Sequence, residues 1–155
     1  MTDDARGTVR GYYGVGVYHA KTSANIGTLW RTASIYGADF IFTVGRRYEK
    51  QASDTVKAWR HCPLWHFTDM DDLRSHIPFS CRLVCVEQTE GGHDLRTFVH
   101  PERAIYLLGA EDAGLPESIM AGHTCVQIGS PTGMCLNVAT AGSIIIYDRW
   151  IKGGA

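Results

Sequence analysis

The sequence predicts an α/β fold with a mostly parallel sheet that is flanked by helices. Short runs rich in β-branched and aromatic residues recur along the chain, which is typical of buried strands. Segments with a helical spacing of apolar residues lie between several of these runs. Strands that alternate with helices favour right-handed crossovers, and therefore parallel strands that are covered on both faces.

Six runs are predicted as strands, at residues 12–18, 40–44, 64–67, 83–86, 105–108 and 125–128. The first contains Gly14 and Gly16, which could begin a dinucleotide-binding GxGxxG loop. His19 occupies the position of a third glycine, however, and no helix is predicted to begin there. We interpret both glycines as strand residues that allow close packing, and a Rossmann-type nucleotide enzyme is the distant alternative.

Four segments have helical spacing, at residues 25–36, 53–59, 69–76 and 137–150. They open with Ser, Asp or Asn, whose side chains can cap the free amides of a first turn. A shorter helix is expected near Glu117, because Pro116 suits a first helical position. Residues 90–94 form the most loop-like interior stretch.

The composition indicates one compact domain. A chain of 155 residues that is 45% apolar can bury one sizeable core, and no repeat or linker interrupts it. Its apolar stretches are far shorter than the roughly 20 residues of a membrane span, and the first residues lack a signal-peptide pattern. We therefore predict a cytoplasmic protein.

The cysteines do not form a recognisable framework. They are five in number and have no CxxC spacing, so we predict reduced thiols, most of them in the core. Cys62 lies near His61 and His66, which are possible metal ligands. No fourth ligand follows at a useful spacing, and no metal site is predicted.

The net charge of −1 argues against binding nucleic acid by bulk electrostatics, because each neutralised phosphate requires a nearby Lys or Arg. One local cluster could still contact RNA, and it consists of Arg46, Arg47, Lys50, Lys57 and Arg60. Tyr48 and Trp59 are interleaved with these cations and could stack on a base. The alternative is an ordinary solvated loop.

Two glycine-rich loops, at residues 108–116 and 129–135, each follow a predicted strand. Parallel strands place their carboxyl ends at one edge of a sheet, where ligands bind in open α/β folds. Glycine lets a backbone approach a ligand closely. One such loop could be a simple strand-to-helix connection, but the two together predict a ligand site.

Three blocks of sequence carry a family resemblance. The first holds Asn25-Ile26-Gly27, Arg31 and Gly37, the second is residues 108–116, and the third is Cys135-Leu136-Asn137-Val138-Ala139. Together they resemble the signature motifs of the SpoU/TrmH branch of the SPOUT RNA methyltransferases, over about residues 12–150. The resemblance implies a single SPOUT-type domain, residues 1–155 with a core of about 10–151, and a C-terminal deep trefoil knot.

The resemblance also implies residue roles. S-adenosylmethionine is expected at Val86, Glu87, Gly109, Ala110, Gly114, Ile128, Cys135 and Leu136. Transfer of its methyl group to a ribose 2′-hydroxyl is expected to depend on Asn25, Arg31, Glu111 and Asn137. RNA contacts are expected from Arg46, Arg47, Lys50 and Arg60, and no metal is implied.

The chemistry restricts the role of Arg31. A methyl group on a sulfonium is already activated, so the transfer mainly requires alignment of the attacking oxygen. A guanidinium is a poor base because its pKa exceeds about 12. We expect Arg31 to clamp a phosphate and the developing alkoxide, Glu111 to orient that guanidinium, and Asn137 to hold the hydroxyl or neighbouring backbone.

Two departures from the family pattern leave an alternative open. Cys135 stands where serine is common, and Ala139 where a second small hydroxylated residue is frequent. A catalytically weak or inactive SPOUT-like dimer that binds RNA or cofactor is therefore the rival interpretation.

The family and the long apolar last helix predict a homodimer whose partner subunit completes the active site. The short flanks leave no room for a separate RNA-binding domain, which favours tRNA over rRNA as substrate.

Overall fold

The computed structural model describes residues 11–50 and 58–153. Seven strands form one sheet in the order β3-β2-β1-β6-β4-β7-β5, and every pairing between them is parallel. Their bounds are Tyr12–Tyr18 (β1), Phe40–Val44 (β2), Leu64–Phe67 (β3), Arg82–Val86 (β4), His93–Asp94 (β5), Arg103–Leu108 (β6) and Thr124–Gln127 (β7). The predicted α/β class is confirmed.

Helices cover both faces of the sheet. Their bounds are Ser23–Ile35 (α1), Met70–Ser75 (α2), Glu117–Met120 (α3) and Val138–Ile151 (α4), and Ala58–Arg60 form a short 3-10 turn. One apolar core packs α1 and α4 against one face of the sheet, and it includes Val15 of β1 and Ile145 of α4. The other packs α2 and α3 against the opposite face through Leu73 and Ile119. None of the helices within the described ranges is long and apolar enough to cross a membrane.

The predicted strand bounds hold closely. Three strands begin and end as predicted, and the others shift by one or two residues. The structure adds β5, which has only two residues and lies in the segment predicted as a loop. Because so short a strand has no alternation to detect, the sequence gives no signal for it. The last predicted strand ends before Ile128, which therefore lies in the following loop.

Two helices, α1 and α3, begin at residues other than those predicted from the sequence. Asp69 and Asn137 cap α2 and α4 with their side chains, as predicted. Asn25 does not cap α1, because that helix begins at Ser23 and Asn25 lies in its first turn. Pro116 occupies the cap position of α3 and not its first helical position. The predicted helix at 53–59 falls mostly on residues 51–57, outside the described residues.

Gly14 and Gly16 lie inside β1 and not in a phosphate-binding loop. A Cβ atom added at Gly14 would stand 2.3 Å from the Phe40 ring, and one at Gly16 would stand 2.4 Å from Phe42. The glycines therefore make room for two aromatic rings of the neighbouring strand, which supports the packing interpretation over the Rossmann alternative.

A buried arginine anchors the C-terminal half of α4. Arg149 is 1% exposed, and its Nη atoms donate to the carbonyl oxygens of Pro101 (2.6 Å) and Glu102 (2.8 Å). Its guanidinium also lies 4.8 Å from the centre of the Tyr13 ring. These contacts hold this end of α4 at the amino edge of the sheet, so the other end, with Asn137, reaches the carboxyl edge.

Candidate active site

A cavity of about 410 Å³ lies at the carboxyl ends of β4, β6 and β7. The eight residues predicted to bind the cofactor all line it: Val86, Glu87, Gly109, Ala110, Gly114, Ile128, Cys135 and Leu136. Apolar side chains complete its wall, including Leu108, Leu115 and Val138. The two glycine-rich loops therefore meet at one edge of the sheet, as parallel topology requires.

The loop after β6 closes tightly on itself. The amide of Gly114 donates to the carbonyl of Ala110 at 2.9 Å, and these residues form an isolated bridge. A Cβ atom at Gly109 would stand 2.3 Å from the carbonyl carbon of Gly114 and 2.5 Å from the amide nitrogen of Leu115. Only glycine at position 109 allows this approach of backbone to backbone.

Glu87 supports the same loop from β4. Its Oε2 accepts a hydrogen bond from the amide of Leu115 at 2.9 Å. That oxygen would stand 2.6 Å from a Cβ at Gly114, whose φ of +63° also favours glycine. Glu87 thus lines the cavity, and one of its carboxylate oxygens, Oε2, binds the loop backbone.

Three of the predicted catalytic residues join in one chain of hydrogen bonds. Asn137 Nδ2 donates to Asn25 Oδ1 at 3.0 Å, and Asn25 Nδ2 donates to Glu111 Oε1 at 2.7 Å. Glu111 Oε2 accepts from the backbone amide of Lys21 at 2.8 Å. Asn137 Oδ1 accepts from the amides of Ala139 and Thr140 at the start of α4. Glu111 also lines the cavity, so this amide network borders it.

The groups at the two ends of this hydrogen-bond network fix the orientation of the Asn25 and Asn137 carboxamides. An ionised carboxylate only accepts hydrogen bonds, so Asn25 must turn its NH₂ group toward Glu111. The free amides of a helix start only donate, so Asn137 must turn its oxygen toward α4. Each Asn NH₂ group then has one N–H engaged in the network and a second N–H left to donate elsewhere. The network can therefore offer two fixed donors to an oxygen that gains negative charge.

Glu111 is poorly suited to act as a general base. Burial acts to raise its pKa, but the hydrogen bonds from Asn25 and from the Lys21 amide outweigh burial, and the pKa lies below its usual value. Both carboxylate oxygens are already acceptors in the network. We conclude that Glu111 positions Asn25.

Arg31 stands apart from the network. Its side chain is exposed and makes no hydrogen bond or ion pair with any group of residues 11–50 and 58–153. The predicted contact with Glu111 is therefore not formed within the chain. Arg31 follows Asn25 by six residues, which on a helix is about 9 Å along the axis and a different face.

The predicted RNA-binding residues lie in the segment after β2 and in the 3-10 turn. Arg46, Arg47, Lys50 and Arg60 are all exposed, and Lys57 lies outside the described residues. Arg46 Nη1 donates to the carbonyl oxygen of Lys21. The segment after β2, residues 45–50, is thereby tied to the residue whose amide binds Glu111.

Lys21 is a candidate site residue that the sequence did not predict. Its amide binds Glu111, its ammonium pairs with Asp112, and its carbonyl accepts from Arg46. The first of these contacts joins residues 90 positions apart, and a backbone donor carries no residue-type signal. Sequence reasoning therefore had no means to find it.

The cysteines and histidines have mostly structural surroundings. All five cysteines are free, but only Cys62 and Cys85 are buried, so the expectation that most lie in the core is wrong. Burial raises the pKa of Cys62 to about 11. His66 Nδ1 shares a hydrogen bond with Thr43 Oγ1 at 2.9 Å. Within the described ranges, no three His, Cys, Asp or Glu side chains cluster so that they could hold a metal ion.

Sequence comparison agrees with this geometry. A family model described as the SpoU rRNA Methylase family matches residues 14–147. The mouse (Mus musculus) tRNA (guanosine(18)-2′-O)-methyltransferase TARBP1 is 28% identical over 135 residues, or 80% of this chain. The chain spans only 8% of the length of that relative.

Solved structures share the fold. An AdoMet-bound rRNA methyltransferase from Sinorhizobium meliloti has a TM-score of 0.77 at 25% identity, over 92% of this chain and 57% of the other. A structure that addresses 2-OH methylation of C/U34 on tRNA has a TM-score of 0.80 at 21% identity, over 92% and 97% of the two chains. The A. aeolicus TrmH/SpoU tRNA modifying enzyme has a TM-score of 0.78 at 18% identity, over 94% and 81%.

Proposed function

Because this chain belongs to the SpoU rRNA methylase family, we propose that it transfers a methyl group from S-adenosylmethionine to a ribose 2′-hydroxyl of RNA. The observation that carries the proposal is the meeting of the cavity and the amide network at Glu111, which belongs to both. A cofactor pocket beside fixed hydrogen-bond donors is what methyl transfer to an oxygen requires.

The cavity suits the cofactor. Its volume falls within the range of about 300–1,000 Å³ that small-molecule sites occupy. The close approach at Gly109 leaves backbone groups at the cavity wall, where they can hydrogen-bond an adenosine, while Leu108 and Ile128 offer apolar contact. When bound, S-adenosylmethionine would supply a methyl group already activated by its sulfonium, and S-adenosylhomocysteine would be the leaving group. As the sequence predicted, the proposed reaction needs no metal ion.

The residues of the chain then orient the attacking hydroxyl. The free N–H groups of Asn25 and Asn137 donate to the ribose oxygen as it gains negative charge, and Glu111 keeps Asn25 in that orientation. Arg31 clamps the adjacent phosphate with its guanidinium. Because Glu111 is already engaged, the hydroxyl proton leaves to solvent water.

We propose tRNA ahead of rRNA as the substrate. The described basic residues are few and local, which suits an exposed loop with few phosphate contacts more than a large folded surface. The mouse relative is named as a tRNA methyltransferase, whereas the S. meliloti protein is described as an rRNA methyltransferase. The cytoplasmic location predicted from the sequence stays a prediction.

The trefoil knot also remains a proposal. It is supported by the sheet order, in which β7 inserts between β4 and β5, so that the chain leaves β7 beside strands formed earlier. The segment that follows β7 then lines the same cavity as the loop after β6, through Ile128, Cys135 and Leu136.

We expect the chain to dimerise through α1 and α4. Tyr36, Tyr147 and Trp150 form an aromatic cluster with ring centres 5.5–5.8 Å apart, and Tyr147 and Trp150 are about half exposed. Exposed apolar area of this kind marks an interaction surface. Arg31 is exposed on α1 and would reach the amide network of a partner subunit.

Light scattering should give twice the 17.1 kDa mass of the chain at micromolar concentration. Trp150→Glu should give the monomer mass and lose methyl transfer, because a charge would be buried in the interface. Phe79→Glu, at an exposed residue outside α1 and α4, should remain dimeric and active. A fully active wild-type monomer would refute the dimer proposal.

Glu111→Gln should slow methyl transfer by about 10- to 100-fold, because a hydrogen bond to a charged group is worth about 1.5–3 kcal/mol. Asn25 and the Lys21 amide donate to different oxygens of Glu111, and glutamine replaces one of these oxygens with an NH₂ group that cannot accept. Single-turnover rates test this, and calorimetry should show a smaller change in cofactor affinity. A rate equal to wild type would contradict the positioning role.

A labelling experiment tests the function itself. The protein is incubated with labelled S-adenosylmethionine and total RNA from cells that lack the gene. Label in 2′-O-methylated nucleosides is the expected result, and tRNA should carry it. Cofactor and RNA binding without label would favour the alternative, a catalytically inactive binding dimer. Labelled rRNA with unlabelled tRNA would overturn the substrate assignment while leaving the chemistry standing.

A further inference from the structure

Trp59 is a large exposed side chain among cations. It is 54% exposed and lies in the 3-10 turn Ala58–Arg60. The Arg60 guanidinium lies 5.2 Å from the centre of its ring. Within residues 11–50 and 58–153, the other exposed large apolar residues lie in α1, in α4 or in loops that carry none of the predicted RNA-binding residues. The surroundings of Trp59 therefore differ from those of an ordinary apolar interface.

The turn that carries Trp59 is firmly attached to the body of the protein. Ala58 is buried, and its carbonyl accepts from the amides of His61 (3.0 Å) and Cys62 (3.1 Å). The Cys62 carbonyl in turn accepts from the indole Nε1 of Trp30 at 2.8 Å. Trp30 belongs to α1, the helix that also carries Asn25 and Arg31. The position of Trp59 is thereby fixed relative to the candidate catalytic residues.

Tyr48, the other aromatic residue near the predicted RNA-binding cations, has a different role. Tyr48 is half-buried and packs edge-on against Trp30, with ring centres 5.6 Å apart at 89°. This packing holds the segment after β2 against α1. Trp59 is therefore the better candidate of the two for contact with a ligand.

We propose that Trp59, stacked beside Arg60, is the platform on which an unpaired RNA base stacks. The exposed Arg47 and Lys50 supply charge for the adjoining phosphates, against one exposed carboxylate, Glu49, in residues 45–50. Every base has a π-face, but a duplex hides that face, so an indole platform selects single-stranded RNA. This inference rests on the proposed function and adds to it the substrate class, which is an RNA loop with at least one unstacked base.

Replacement of the indole tests the platform. We expect Trp59→Leu to weaken binding of single-stranded oligoadenylate and of total tRNA by about 5- to 100-fold, the range for loss of one base–aromatic stack. Trp59→Phe, which keeps a π-face, should retain most of the affinity. Binding of an RNA duplex of the same length should be unchanged, and calorimetry should show unchanged affinity for S-adenosylmethionine.

Phe79→Leu is the matched control, because Phe79 is 90% exposed and is not near the predicted RNA-binding residues in the sequence. It should bind every probe as wild type does. Equal oligoadenylate affinity of Trp59→Leu and wild type would overturn the platform, as would equal weakening of duplex binding. Failure of the wild-type protein to methylate any RNA would instead refute the proposed function, since these binding measurements need no turnover.

Discussion

Arg31→Ala should reduce methyl transfer by at least about 100-fold, the loss that follows removal of a charge-stabilising donor from an active site. We expect S-adenosylmethionine affinity to stay within a few fold of wild type, because Arg31 does not line the cavity. Single-turnover transfer and calorimetry with the cofactor measure the two effects separately. Arg31→Lys should also be impaired, because an ammonium cannot reproduce the planar fork of a guanidinium.

Two controls isolate this role. Arg82→Ala removes another exposed arginine, at the amino end of β4 and therefore at the opposite edge of the sheet, and should remain active. Because Arg31 lies on the proposed dimer face, the mass of Arg31→Ala must also be measured, and light scattering should show the same mass as wild type. Full activity of Arg31→Ala would show that the clamp is not needed.

Gly109→Val should have the opposite pattern, with cofactor binding lost first. The added Cβ would stand 2.3 Å from the carbonyl carbon of Gly114, so the loop must move away from its closed form. Overpacking of this kind costs about 1–3 kcal/mol, which corresponds to a loss of affinity of about 5- to 100-fold. Calorimetry with S-adenosylmethionine measures this loss, and thermal denaturation shows whether the variant remains folded.

Gly109→Ala separates two explanations of that loss. If the backbone contact with Gly114 is decisive, alanine alone should impair cofactor binding, because its Cβ already overlaps the loop. If only bulk inside the cavity mattered, alanine would bind nearly as well as glycine. Equal losses of cofactor affinity in Gly109→Val and Arg31→Ala would show that the division of roles between the two residues is wrong.

The sequence by itself determined the parallel α/β class and most element bounds. Strands such as β1 and β2 are apolar runs between turn residues, and this local pattern alone specifies where they begin and end. The sequence also placed the predicted cofactor residues, because glycine-rich loops that follow parallel strands must meet at one edge of the sheet. Their binding of cofactor stays a prediction.

Only the tertiary structure decided how the candidate catalytic residues connect. Asn25 contacts Glu111 across 86 positions and Asn137 across 112, so no local periodicity relates them. The crossover connections of the sheet bring these loops together, and their contact then fixes which way each amide points. The same geometry separates Arg31 from Glu111. Arg31 is six residues from Asn25, the α1 residue that contacts Glu111, and a helix turns residues six apart to different faces. The spacing of apolar residues indicates which face of each helix or strand is buried. The distances between side chains on different elements depend on how the whole chain packs.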